Sequence, residues 1–438
     1  MLDIQFIRDN PKLVAEKSKQ KGYDVDITQL LGFDTERREL LRQVEDLRRQ
    51  RNELAEQTKG QKPSDEQIEQ GRKLREQLAD MEHKLGAIEQ EYETLLKTVP
   101  NMPLDDVPVG VSEDENVVAK IVGEPTKFDF EPKTHWQLAE AKDWIDKERA
   151  AKVSGARFAY IKGDLVRLQF AIVQYVLQTL GDEKIIGKII KNSGLSVAAK
   201  PFMPILPPAM IKTDVFEAMD RLEPRDDRYK VGEDSDDLWL QGSAEHALGS
   251  MYKDEIIDGS ELPIRYVGYS SSFRREAGTY GKDTEGILRM HQFDKLEMEV
   301  FSTAETGLDE HQLLCAIQEY LVSSLELPYQ VLQKCTADIG KPNATGVDIE
   351  TWMPGQGKYR ETHTADYMTD YQARRLKTRT KLNSSSAADL IALVHTNDAT
   401  AFALGRVMIA IIENCQTKEG NVRIPKVLQP FMGGQTEI

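Results

Sequence analysis

Two runs of apolar residues in four-three alternation constrain this chain more than any other feature. The first places Leu40, Val44 and Leu47 along one stripe, with Arg51 in the next slot and Leu54 beyond it. The second runs Leu74, Leu78, Met81, Leu85, Ile88, Tyr92 and Leu95, with Glu, Lys and Arg filling the other faces. That spacing is a heptad seam, which only helices can bury. Between the runs, Gly60 can end one helix, Pro63 forbids its continuation, and Ser64 followed by Glu66 and Gln67 suits the start of the next. Helices of about 30 residues, at about 1.5 Å per residue, make an arm of about 45 Å. Heptads alone also suit a dimerisation coiled coil, whereas two helices of similar length joined by a turn favour an antiparallel pair within one chain. An arm of that length is a lever for reaching a large ligand such as a nucleic acid.

The chain has 438 residues, more than one domain usually holds, so two or three units are expected. Asn101 to Val118 is rich in Pro, Gly and acidic residues and has no period, which makes it a boundary; domains over 1–110 and 111–438 follow. No stretch approaches the roughly 20 apolar residues of a membrane span, and Asp3, Arg8 and Asp9 interrupt any secretory signal. A cytoplasmic protein with no membrane role is expected. Cys315, Cys335 and Cys415 are odd in number, scattered and without CxxC spacing, so reduced structural cysteines fit better than disulfides or zinc. A formal net charge of -16 argues against nucleic-acid binding by the whole surface. Any such contact must be local, and Arg48, Arg49 and Arg51 form the evident patch.

Beyond residue 120, strand-like and helix-like runs mix without βαβ alternation, which predicts an α+β domain with a mainly antiparallel sheet flanked by helices. The richest stretch, Tyr269 to Phe301, reads as two strands around a loop marked by Gly278, Gly281 and Gly286. Period two puts His291, Phe293, Lys295, Glu297 and Glu299 on one face of the second strand, and Arg274 and Glu276 share a face of the first. Such a surface is either an exposed, solvated hairpin or a site where a guanidinium holds phosphate, a ring stacks on a base and a carboxylate holds an ammonium group. Downstream, Arg406 is the one charge in ATAFALGRVMIAII, read as a helix, so it must pair internally or meet an anion. The run Ser384 to Ser386 is the one compositionally biased segment.

The stretch FRREAGTYGKDTEGILRMHQFDKLE, with PILPPAM, WMPGQGKYRE, QARR and HTNDATAFALGR, resembles the signature motifs of the seryl-tRNA synthetases, class II aminoacyl-tRNA synthetases. With the MLDIQFIRDNP opening and the hairpin arm, the resemblance covers nearly the whole chain. It implies serine–tRNA ligation: ATP-dependent formation of seryl-adenylate, then transfer to the 3′ end of tRNA(Ser), with tRNA(Sec) a further candidate. By resemblance, Arg274 holds the ATP α-phosphate, Arg275 and Glu276 contact the nucleotide, Phe293 stacks on adenine and Arg406 binds the γ-phosphate. Glu361 and Thr364 would hold Mg²⁺, with Thr362 and His363 beside them at the ATP site. L-serine would lie among Ser243, Ala244, Glu245, Arg274, Glu297 and Thr400, with Arg274, Arg406 and Glu361 the catalytic groups. Arg48, Arg49 and Arg51 would touch tRNA, and the region around Pro207 and Pro208 would form a homodimer.

The chain departs from the commoner family residues in several places. Glu361-Thr362-His363-Thr364 stands where Glu-Ile-Ser-Ser is common, Ser243-Ala244-Glu245 where Thr-x-Glu is, and Asp398-Ala399-Thr400-Ala401 where Asn-Gly-Ser-Gly is. A hydroxyl is retained in each place, which a pocket selecting a small hydroxylated side chain requires. Two rival readings remain: a synthetase-like paralogue that adenylates an amino acid for a non-tRNA carrier, which would lack the arm, and a catalytically silent binding protein, which would lack the phosphate-binding arginines.

Overall fold

The computed structural model describes residues 1–60, 62–233, 236–277, 286–382 and 390–438, so Gly278, Gly281 and Ser384 to Ser386 lie outside the described residues. The chain divides into two compact units, Met1–Met102 and Pro103–Ile438. Residues 103–110 are tied into the second unit: Leu104 N donates to Ala344 O at 2.9 Å and Gly110 N to Thr336 Oγ1 at 3.1 Å.

In the first unit, α1 (Ile27–Gln57) and α2 (Asp65–Leu96) pack against each other as the hairpin. Ser64 caps α2 reciprocally, its Oγ accepting from Gln67 N at 3.2 Å while Gln67 Oε1 accepts from Ser64 N at 2.9 Å. Val44, Leu78 and Leu85 are buried in the seam, flanked by Leu40, Leu47 and Met81. Each such side chain removed from water contributes about 1.5–3 kcal/mol, which holds an otherwise solvated arm together.

In the second unit, eight strands among the described residues form one sheet. They are β1 (Val117–Val122), β2 (Met203–Ile205), β3 (Ile264–Phe273), β4 (Gln292–Ser302), β5 (Tyr329–Gln333), β6 (Thr345–Met353), β7 (Lys358–Thr369) and β8 (His395–Ala403), in the order β1-β5-β6-β7-β8-β4-β3-β2. All pairings are antiparallel except β2 with β3, where the PILPPAM segment adds an edge strand. Leu296, Met298 and Val300 of β4 belong to the large apolar core together with residues of α3 (Asp164–Leu180), α4 (Gly307–Ser324) and α5 (Leu404–Asn414). The alternate residues of β4, Lys295, Glu297 and Glu299, are also buried, although they are charged.

Residues 399–403 are strand rather than helix, and α5 begins only at Leu404. Pairing with β4, joined at Ala399 by β7, overrides the local apolar pattern there. All three cysteines are free, and no helix among the described residues is long and apolar enough to cross a membrane.

Candidate active site

Two bulges shape the charged face of the sheet. On β7, Ile349 pairs with His363 and Glu350 with Glu361, leaving Thr362 as an extra residue. The parity change brings Glu361 and Thr364, three apart, onto one wall of a cleft of about 690 Å³ that opens to solvent. On β8, Leu296 pairs with Phe402 but Glu297 with Thr400, so Ala401 is the extra residue and Thr400 also reaches the cleft. Arg274, Glu276, Phe293 and Arg406 complete the functional lining.

One end of the cleft is cationic and aromatic. The Arg274 guanidinium lies 5.4 Å from the Phe293 ring centroid and its Nε donates to Gly242 O at 3.1 Å. Arg274 and Glu276 lie beyond the end of β3, with Glu276 at φ 53°, so a turn rather than a shared strand face aims them into the cleft. Arg289, which carried no expectation, donates to Glu276 Oε2 at 2.5 Å. Arg406 donates to the backbone and carboxylate oxygens of Glu361, both at 2.9 Å. Of the two alternatives for Arg406, the internal pair is the one present. Desolvation works to raise the Glu361 carboxyl, but Arg406, Lys334 and Arg274 outweigh it and lower it, so it is a carboxylate at neutral pH.

Next to Lys295 and Thr400 of the cleft wall lies a buried acidic cluster. Glu245, Glu297 and Asp398 have oxygens within 4.8 Å of one another. Arg221 pairs with Glu245 at 3.2 Å and Asp398 at 3.3 Å. Lys295 forms an ion pair with Glu297 and donates to Ser243 Oγ at 3.0 Å, and Ser243 Oγ lies 3.4 Å from Glu297 Oε2. Burial raises Glu297 to about 7 against the pull of Lys295. Glu245 goes the other way: desolvation opposes its charge, but Arg221 and His246 hold it well below the usual carboxylate range. His246 accepts Gly242 N–H at Nδ1 (3.2 Å), so the neutral ring presents its proton from Nε2 to Glu245, 3.2 Å away. Burial keeps that ring neutral, lowering it to about 4. Gly268, the cross-strand partner of Glu297, has no Cβ because one would lie 2.8 Å from Leu248 Cδ1.

A third cluster lies beside Thr364. Lys334 Nζ donates to Thr364 Oγ1 at 2.8 Å and pairs with Asp366 at 2.7 Å and Asp348 at 3.4 Å. Burial lifts Asp348 to about 7 despite Lys334.

Of the expected site residues, Ser243, Glu245 and Glu297 belong to the buried cluster, His363, Arg275 and Ala244 also lie off the cleft wall, and Thr362 is on the wall with its hydroxyl engaged. His363 is buried against Phe402, 5.0 Å between ring centroids, with Nδ1 2.8 Å from Thr362 Oγ1, and burial lowers it to about 3. The same bulge that aligns Glu361 with Thr364 turns it inward. Thr362 lines the cleft but spends its hydroxyl on Thr351 (2.8 Å) and Ile349 O (3.2 Å). Arg275 is exposed and stacks on Tyr229 at 4.8 Å, its Nε donating to Arg228 O. Ala244 is fully buried ahead of the short helix Glu245–Leu248. In the first unit, Arg48 pairs with Glu82 and Arg49 with Asp46, each at 2.8 Å on exposed side chains, while Arg51 Nη2 donates to Asn52 at 3.3 Å.

Residues 1–103 match the model of the seryl-tRNA synthetase N-terminal domain, and residues 229–415 that of the class II tRNA synthetase core domain (G, H, P, S and T). The chain is 37% identical to the serine–tRNA ligase of Nitrosopumilus maritimus over 443 residues, covering 100% of each. The chain belongs to the seryl-tRNA synthetase family. It is also 36% identical to the serine–tRNA ligase of Thermodesulfovibrio yellowstonii, covering 99% of each. Its fold matches the seryl-tRNA synthetase of Pyrococcus horikoshii complexed with ATP, with TM-score 0.86, 36% identity and coverage of 100% and 99%. The cytoplasmic serine–tRNA ligase of Naegleria fowleri in complex with AMP matches with TM-score 0.83 and 27% identity, over 100% and 98% of the two chains. As a seryl-tRNA synthetase the chain is a ligase, a class II aminoacyl-tRNA synthetase whose general reaction is ATP-dependent aminoacylation. Both halves of the family's architecture are therefore present, against the rival that lacks the arm and the one that lacks the arginines.

Arg221, Lys295 and Lys334 were not assigned roles from sequence. Lys295 could have been, since it shares the polar row of β4, whereas Arg221 and Lys334 lie in segments with no local signal and reach their acids only through tertiary folding.

Proposed function

We propose that the chain activates L-serine with ATP and transfers it to tRNA(Ser), with tRNA(Sec) as a second candidate acceptor. One observation carries this reading: the cleft that holds the cations and ring of Arg274, Phe293 and Arg406 is also lined by Lys295 and Thr400, and these two adjoin Glu297 in the buried acidic cluster of Glu245, Glu297 and Asp398. ATP is anionic with a flat base, serine is an ammonium compound with a small hydroxyl, and adenylate formation requires the two to meet. In this arrangement Phe293 stacks on adenine, Glu276 contacts the adenosine end, and Arg274 neutralises the α-phosphate. Arg406 turns from Glu361 to the γ-phosphate. Glu297 and Glu245 take the ammonium group, and Ser243 and Thr400 frame the side chain.

The serine carboxylate oxygen attacks the α-phosphorus, and the bond to the β-phosphate bridging oxygen breaks, giving seryl-adenylate and pyrophosphate. A terminal ribose hydroxyl of tRNA then attacks the acyl carbon and AMP leaves. Glu361 and Thr364 fit a hard divalent cation: they are oxygen donors on one wall, and the carboxylate is ionised. Bound there, Mg²⁺ would neutralise triphosphate charge. The helical hairpin carries the tRNA contact through Arg48, Arg49 and Arg51, and the enzyme works as a homodimer joined near Pro207 and Pro208. A pyrophosphate-exchange assay with serine, threonine and alanine tests the reading. Serine is expected to support exchange best; no exchange with serine, or faster exchange with either competitor, would overturn it.

A further inference from the structure

Glu299 adjoins the buried acidic cluster and takes part in none of the steps above. It is 0% exposed, and neither carboxylate oxygen has a hydrogen-bond partner among the described residues. The register of the sheet places it directly opposite Asp398 on β8 and Tyr266 on β3. Asp398 is as deeply buried; its Oδ2 takes the Arg221 contact at 3.3 Å, while its Oδ1 has no partner.

Among the described residues no cation forms an ion pair with Glu299. Glu297 is two residues along the same strand, Glu245 belongs to the short helix Glu245–Leu248, and Arg221 acts on Glu299 only at a distance while it pairs with Glu245 and Asp398. Lys295 is committed to Glu297 and Ser243. The Tyr266 hydroxyl is 2.6 Å from that of Tyr252. Arg221 is thus shared between Glu245 and Asp398, while Asp366, paired with Lys334, faces Asp398 from β7. Like-charged side chains directly opposite each other on neighbouring strands destabilise a sheet, and a buried carboxyl without a partner is protonated rather than charged. Burial first, and then the neighbouring carboxylates, push both Glu299 and Asp398 well above the usual range. There is no room for Glu299 to turn away through the helix, because Gly249 is so close that a Cβ there would lie 3.2 Å from Glu299 Oε1 and 2.7 Å from Met219 Cε.

We propose that Glu299 is a positioning residue that shares one proton with Asp398, and so fixes the Asp398 carboxyl and, through Arg221, the ammonium-binding Glu245. The pair titrates as a unit, carrying one negative charge between its two carboxyls. Arg221 then faces two negative charges, and the ammonium group of the substrate meets Glu245 in a fixed orientation. This inference rests on the reading of the acidic cluster as the amino-acid subsite.

Two measurements test it. Infrared difference spectra of ligand-free wild type against E299Q near pH 7 should show a protonated-carboxyl C=O band that the variant lacks; absence of that band overturns the shared proton whatever the substrate is. In pyrophosphate exchange, E299L should raise the serine KM about five- to tenfold, the size of one lost buried hydrogen bond, with little change in kcat or in the KM for ATP. E299Q, which keeps a donor, should restore most of the serine affinity. An acid that is merely stranded predicts instead that E299L is more heat-stable with an unchanged serine KM, and either that result or an E299Q as impaired as E299L refutes the proposal. Failure of the wild type to exchange with serine would sink the substrate reading, while the infrared band would still decide the proton.

Discussion

Replacing Arg221 by methionine should cost stability in a strongly pH-dependent way. In the native protein Arg221 is 16% exposed and stands within 3.3 Å of two buried carboxylates, Glu245 and Asp398. Removing one partner of such a pair costs about 3–5 kcal/mol, because the charges left behind have no solvent. With an unfolding entropy of about 2.1 cal/mol/K per residue, the unit Pro103–Ile438 shifts by about 1.4 °C per kcal/mol, so the melting temperature should fall by roughly 4–7 °C near pH 7. The sign follows from linkage. With Arg221 in place, Glu245 is held well below its unfolded value and contributes stability that is present above the unfolded pKa and lost as pH falls through the folded one. Without Arg221 the largest opponent of burial is gone and only His246 and Lys295 remain, so the folded pKa rises and the stability that Glu245 contributes at neutral pH shrinks. The deficit of R221M should therefore be small near pH 4 and grow towards pH 7, and adding E245Q should recover part of it. Calorimetric melts of the full chain across that range are the assay. A deficit of the same size at both ends, or no recovery in R221M/E245Q, would refute the assignment of Arg221 as the cation that keeps this cluster charged.

R406A should lower the exchange rate about 10²–10³-fold, the usual cost of one positioned transition-state donor, while leaving the melting temperature within a few degrees, since Arg406 and Glu361 are both partly exposed; an unchanged rate would remove Arg406 from the chemistry. Because burial holds His363 neutral down to about 3, H363Q should reduce stability by about 1–3 kcal/mol yet leave the pH–rate profile between about pH 5 and 8 unmoved, and a shifted profile would return the ring to the site. Replacing Arg48, Arg49 and Arg51 together with alanine should leave exchange intact, weaken tRNA charging, and flatten the salt dependence of tRNA binding by up to about three counterions; equal loss of exchange and charging would refute a tRNA-specific role.

The arm was legible because a heptad repeat is a local signal and its burial needs only the second helix of the same hairpin, as the buried Val44, Leu78 and Leu85 show. The strand carrying Phe293, Lys295 and Glu297 was legible for the same reason, a period of two within eleven residues. The limit of α5 was not: ATAFA has the composition of a buried helix, and only pairing with β4, joined at Ala399 by β7, makes it part of β8. Glu361 and Thr364 were assigned together by resemblance, but residues three apart on a regular strand face opposite ways, and the extra residue at Thr362 is what aligns them and turns His363 into the core.

By itself, then, the sequence determined the hairpin, the antiparallel class of the second unit, the family, and the chemistry of the cleft and of the acidic cluster, because each is written in short-range periodicity or in an unbroken motif. Tertiary structure alone decided how the charges balance. Arg221 and Lys334 reach their carboxylates across 14 to 177 residues, and Glu299 finds Asp398 only through strand register. The energy of a buried charge depends on which counter-charge folding brings within a few ångströms, and no spacing along the chain records that distance.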